Sequence, residues 1–184
     1  MSKIKTFDPD DFLFDLYAMS REEVEEMLFK EFDKIEPNFE KIKVIIDSGL
    51  VDVNAKNNRG WTLLHEACLN DNIECAKLLL DRGAEVNSED SGSLTPLHWT
   101  CRNNDLEFAK LLLDRGADLE AEDDTGWTPL HFACLNDNIE CAKLLLDRGA
   151  DVGAKNFAGR TPFNYTDSKK MKALLKKNKK HLEM

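Results

Sequence analysis

Three residue pairs have types and spacing suited to metal chemistry: His65-x-x-Cys68, His98-x-x-Cys101 and His131-x-x-Cys134. Each pair spans about one helical turn, and Cys75 and Cys141 could complete a set. The pairs recur at 33-residue intervals, however, so each unit would supply only part of a tetrahedral shell. Nucleophilic catalysis fares no better. The fourth unit carries Asn164 in place of the His, and no Ser or Cys stands out from the period as a nucleophile. Phosphate-cradling loops are absent, since most of the nine Gly occupy repeat positions, and His181 is a tail residue with no evident partner. The expectation is a protein that is not an enzyme, with no cofactor, no metal and no small-molecule substrate.

The elements holding these residues follow from the period. Thr62, Thr95, Thr128 and Thr161 lie 33 residues apart, as do Gly83, Gly116 and Gly149. Residues Ala67–Ala84 and Ala133–Ala150 are identical over 18 positions. A unit this short cannot enclose its own core and must bury its apolar face against its neighbours.

Within Thr95-Pro96-Leu97-His98, Thr is a helix N-cap and Pro stands at the first helical position, where its missing N–H costs nothing. The helix runs to Arg102 or Asn103, and Asn104-Asp105 break it. A second helix, about Leu106–Arg115, carries Leu106, Ala109, Leu112 and Leu113 at helical spacing, and Gly116 ends it in the left-handed conformation. The polar stretch from Ala117 to Trp127 reads as a projecting hairpin.

This pattern resembles the ankyrin-repeat family. The resemblance rests on Gly60-Trp61-Thr62-Leu63-Leu64-His65-Glu66-Ala67, Thr95-Pro96-Leu97-His98, Gly126-Trp127-Thr128-Pro129-Leu130-His131-Phe132-Ala133 and the repeated Leu-Leu-Leu-Asp-Arg-Gly-Ala ending at Ala84, Ala117 and Ala150. It covers about Phe29 to Lys177. It implies an all-α solenoid of stacked helix-turn-helix units with projecting β-hairpin loops. It also implies that the motif His bonds to neighbouring Thr and backbone groups and that a small buried residue stands at the Cys position, so these Cys read as small core residues. Leu63 replaces the motif Pro and Thr100 the motif Ala. Asp71, Asn104 and Asp137 stand where the family usually has Gly, a substitution these residue types tolerate. Ser93 replaces the hairpin Gly, with Gly92 beside it to supply flexibility.

The expected organisation is an N-terminal helical cap with the start of a degenerate first repeat (1–37), the remainder of that repeat (38–57), three repeats (58–90, 91–123, 124–156) and a C-terminal capping repeat with a basic tail (157–184). Asp8-Pro9-Asp10-Asp11 reads as a helix start, followed by an apolar stripe of Phe12, Leu13, Leu16 and Tyr17. That stripe either packs on the first repeat or forms an exposed docking segment. Ser20 and Glu23 form a capping box for a helix ending before Pro37, and Phe39–Ser48 is a further helix.

The formal net charge is −10, with 25 basic and 35 acidic side chains. Residues 167–184 hold seven Lys against Asp167 and Glu183, so the rest of the chain is more acidic than the average. Nucleic-acid binding by the repeats is not expected, because phosphate affinity needs clustered cations. The Lys-rich end is either a solvated helix cap or a nuclear-import or anionic-surface patch. No apolar run reaches membrane-spanning length, and Met1 to Asp11 lacks a signal-peptide stretch. Five Cys without a Cys-x-x-Cys pair point to free thiols in a reducing compartment, hence the cytoplasm, with the nucleus open through the Lys run and export without a recognisable signal also open. A monomer is expected.

Function is expected where the repeat leaves freedom. Trp61, Leu94 and Trp127, followed by Arg160, precede the motif Thr; the resemblance places them at the edge of the concave face where ankyrin repeats bind proteins. They are either interface anchors or local packing on the next hairpin. Trp99 and Phe132 either fill the core or join that face. Leu69, Arg102 and Leu135 follow near the helix end, with Arg102 the singular side chain. Arg59, Glu89, Glu122 and Lys155 vary on the hairpins. The reading is a protein–protein interaction module (adaptor or scaffold) for an unidentified protein partner, whose basic surface the acidic body would steer in. An effector or inhibitor that sequesters a target is the alternative. Asn54 and Asn87 resemble hairpin sites of asparagine hydroxylation in this family.

Overall fold

The computed structural model describes residues 7–32, 34 and 38–182, with side chains described as far as Asn178. Pro37, His181 and the last two lysines of the basic run therefore lie outside the described side chains.

Capping chemistry sets the helix starts. The Asp8 carboxylate accepts the Asp10 N–H at 3.0 Å and opens α1 (Pro9–Leu16). The Ser20 N–H donates to the Glu23 carboxylate at 2.8 Å, and the Glu23 N–H to Ser20 Oγ at 3.3 Å, a reciprocal box before α2 (Arg21–Phe32). Asn38 caps α3 (Phe39–Asp47). Three helix pairs follow: α4 (Leu63–Leu69) with α5 (Ile73–Asp81), α6 (Pro96–Asn103) with α7 (Leu106–Asp114), and α8 (Pro129–Leu135) with α9 (Ile139–Asp147). A 3₁₀ turn, η1 (Pro162–Tyr165), and α10 (Lys169–Leu182) are the last elements among the described residues.

Stacking produces two rows. An inner row runs α2, α4, α6, α8, η1, and an outer row runs α3, α5, α7, α9, α10. The core is continuous between them, with Leu64, Leu97 and Leu130 buried from the inner helices and Leu79, Leu112 and Leu145 from the outer ones. Helix α1 lies against α3; Leu16 is buried and Phe12 and Leu13 pack on the core, so the stripe docks. Tyr17 departs from it, standing at the helix C-cap and 63% exposed.

The turns between paired helices need left-handed backbone, and Asp71, Asn104 and Asp137 adopt it at φ 52°, 61° and 54°. Ser93 corrects the expectation about its neighbour. Ser93 itself takes φ 58° rather than leaving the turn to Gly92, and its hydroxyl donates to the Asp124 carboxylate at 2.6 Å. Two equivalent positions admit no side chain: a Cβ on Gly126 would lie 2.9 Å from the Phe157 amide nitrogen, and one on Gly60 2.7 Å from that of Ser91. Among the described residues the projecting loops form turns without strands, and strand-like pairing shrinks to one isolated bridge between Lys56 and Thr62.

The outer-helix ends carry an ion-pair ladder that explains the repeated Asp-Arg. Asp47 meets Arg82 at 2.6 Å, Asp81 meets Arg115 at 2.9 Å and Asp114 meets Arg148 at 3.0 Å, each across one repeat step.

Candidate protein-binding face

The face is built outward from the buried motif histidines. The Thr95 N–H donates to His98 Nδ1 at 3.0 Å, which leaves the ring proton on Nε2 to donate to the Trp127 carbonyl at 3.0 Å. His65 does the same between Thr62 and the Leu94 carbonyl, and His131 between Thr128 and the Arg160 carbonyl. Both nitrogens of each ring are thus engaged, and burial holds all three imidazoles below their ordinary pKa and neutral. Asn164 accepts the Thr161 N–H at 2.8 Å, which reproduces only the near half of this link.

All five Cys are buried and free, as small core residues. Burial pushes Cys75 and Cys134 up to about 12 and Cys68 and Cys101 well above the ordinary thiol range. The Cys141 thiol lies 3.5 Å from Cys101 Sγ, across the α6–α9 contact. Among the described residues no group of three or more His, Cys, Asp or Glu is placed to hold a metal ion.

Each loop is closed by an Asn or Asp that the sequence reading passed over. Asn57, Asp90, Asp123 and Asn156 each accept two backbone N–H groups with Oδ1, from the residues two and four positions on. The signal was there, an amide or carboxylate at the repeat period within the hairpins. The second of those N–H groups belongs to Trp61, Leu94, Trp127 and Arg160, so this row is fixed by its own loop and, except at Trp61, by the preceding histidine.

The rings on that row both pack and face outward. Trp61 and Trp127 are half-buried. Trp61 meets Trp99 edge-on at 5.2 Å, while Trp127 contacts Phe132 at 5.3 Å and Tyr165 at 4.2 Å. Leu94 is half-buried as well. Arg59 stacks on Trp61 at 5.4 Å and Arg102 on Trp99 at 5.2 Å, both arginines exposed. Leu69 and Leu135 are 43% and 51% exposed. Arg102, Trp127, Phe132 and Leu135 come together around an open cavity of about 330 Å³ between the second and third repeats. Arg59, Leu69 and Leu94 do not reach it.

Asn54 and Asn87 lie on the loop bases and bridge to the next unit. Asn54 Oδ1 accepts the Glu85 N–H at 2.8 Å and Asn87 Oδ1 the Asp118 N–H at 2.9 Å. Glu120 takes the same role toward Asp151 at 2.7 Å, with burial raising its carboxyl above the usual range. At the C-terminal end, Lys172 and Lys176 lie over the Phe163 ring at 5.7 Å each. Among the described residues no helix is long and apolar enough to cross a membrane.

A family model described as ankyrin repeats, in three copies, matches residues 34–90 and 89–156. The chain is also 41% identical over 51 residues to the mouse SMC5-SMC6 complex localization factor protein 1, and 41% identical over 46 residues to its human counterpart. These matches span 28% and 25% of this chain and only 5% and 4% of those much longer proteins.

Proposed function

Because the chain belongs to the ankyrin-repeat family, whose members are generally protein–protein interaction modules and typically not enzymes, we propose that it is a non-enzymatic adaptor or scaffold. Its partner binds across the inner helices and loops of the second and third repeats. The observation that carries this reading is the cavity at Arg102, Trp127, Phe132 and Leu135, where aromatic and aliphatic surface stays open on backbone clamped by buried histidines. A surface held this rigidly loses little freedom on association, which favours affinity. The protein acts as a monomer in a reducing compartment, the cytoplasm, where its five free thiols are stable.

Selection of binders from a random-peptide display library tests the reading. All native thiols are buried, so a Cys introduced at an exposed position can be labelled selectively. A bulky maleimide on Leu135→Cys is expected to weaken the selected binders at least about tenfold. The same label on Lys143→Cys, exposed on outer helix α9, leaves them unaffected. Equal loss from both, or loss from neither, contradicts the proposal.

A further inference from the structure

In each repeat the Asn or Asp that closes the loop has a second side-chain atom, and a residue nine positions on meets it in three cases. Asn57 Nδ2 donates to the Glu66 carboxylate at 2.9 Å, the Trp99 indole N–H donates to Asp90 Oδ2 at 3.1 Å, and Asn156 Nδ2 donates to the Tyr165 hydroxyl at 2.6 Å. The third repeat breaks the pattern. Asp123 Oδ1 takes the Thr125 and Trp127 N–H groups, but position 132 is Phe, which has no donor. Among the described residues Asp123 Oδ2 has no hydrogen-bond or ion-pair partner. Those residues contain no buried side-chain oxygen or nitrogen without one, so this oxygen is open to solvent. It belongs to the lining of the 330 Å³ cavity, beside the Trp127 and Phe132 rings.

We infer that this cavity receives a lysine or arginine side chain from the partner, its charge on Asp123 Oδ2 and its stem along Trp127 and Phe132. The inference rests on the reading of this face as protein-binding. An aromatic ring beside an unpaired carboxylate is suited to a cation and to little else: the ring faces attract positive charge, and the apolar walls cover a long methylene stem. The chain as a whole, at −10, draws in a basic segment. Arg102 stands on the rim but is held over Trp99 and forms no ion pair among the described residues; it repels the incoming cation rather than replacing it.

The test uses blocked heptapeptides of glycine and serine with one central lysine, arginine, norleucine or glutamate, and follows the three indole N–H resonances by NMR. The lysine and arginine peptides are expected to shift the Trp127 signal, and the other two to leave it in place. Asp123→Asn keeps the Oδ1 acceptor, a role Asn57 and Asn156 already fill, so the loop stays closed while the charge is lost; binding weakens roughly tenfold. Phe132→Trp supplies the donor that Trp99 gives Asp90, and it closes the site to a similar extent. Arg102→Ala strengthens binding by removing the like charge. An unchanged urea midpoint for Asp123→Asn is the control for loop integrity. Equal response to norleucine or glutamate, unchanged affinity in Asp123→Asn, loss of binding in Arg102→Ala, or no shift with either cation overturns the inference. Display binders that the label at position 135 blocks, yet which need no basic residue, would overturn it while leaving the protein-binding reading intact. Binders that the label does not block would remove that reading itself.

Discussion

His98 Nε2 donates to the Trp127 carbonyl across 3.0 Å, so a buried imidazole of one repeat sets the position of an aromatic ring on the face of the next. The same atom-to-atom link runs from His65 to Leu94 and from His131 to Arg160. Core and candidate site are therefore one construction, and a change in the core is expected to reach the surface.

His98→Ala leaves the Thr95 N–H without its acceptor and frees the Trp127 backbone from one of its holders. The expected cost is on the order of 1–3 kcal/mol for the unsatisfied amide alone, read by urea unfolding, with a shift in Trp127 emission. A variant as stable as the parent would contradict the structural role given to the ring.

Stability should fall as pH drops through the ordinary His value of about 6.5. The three motif imidazoles are held below that value by burial, so the unfolded chain takes up protons that the folded chain refuses. The stabilisation is complete above the unfolded pKa and is lost progressively toward the lower folded one. Burial raises the Asp105 and Glu120 carboxyls, which act in the opposite direction, but only as pH approaches the carboxylate range. Urea midpoints measured between pH 7.5 and 5.5 check this; a flat or rising trend toward acid contradicts it.

Asn104 sits at φ 61°. Replacing it with Ala puts a Cβ into left-handed backbone without a side chain that bonds locally, at a cost of roughly 1–2 kcal/mol. Asn104→Gly should stay close to the parent. Thermal unfolding of the pair separates backbone strain from any loss of side-chain contact.

The ion-pair ladder contributes little to holding the repeats together. Arg115 and Asp81 are substantially exposed, so Arg115→Ala should cost under about 1 kcal/mol. Leu112→Ala in the adjacent core should cost about 2–5 kcal/mol. If the arginine variant proved the more damaging, the balance drawn between burial and charge would be wrong.

Most of the fold was legible because its signals are local and repeated. Thr-Pro starts, Gly stops and the 33-residue period name the helices and their stacking, and Asp8 and the Ser20–Glu23 box act as caps as their spacing implies. Ser93 was misjudged because residue type was set above the period: Gly60 and Gly126, one repeat step to either side, take positive φ, and Ser93 follows them although Gly92 is adjacent. The site was only half legible. Trp61 and Trp127 turn out to pack on Trp99, Tyr165 and Phe132 while keeping an open side, so replacing them with Ala would lower stability as well as binding. The open oxygen of Asp123 depends on a partner nine residues away, and that pairing emerges only once the loop is folded onto its helix.

Partners are proposed to bind the inner row and its loops. Amide hydrogen-exchange footprinting of the protein with a display-selected peptide bound tests this without altering a residue. Added protection is expected in α6, α8 and the loops ending at Leu94 and Trp127, with α5, α7 and α9 unchanged. Protection confined to the outer row would contradict it.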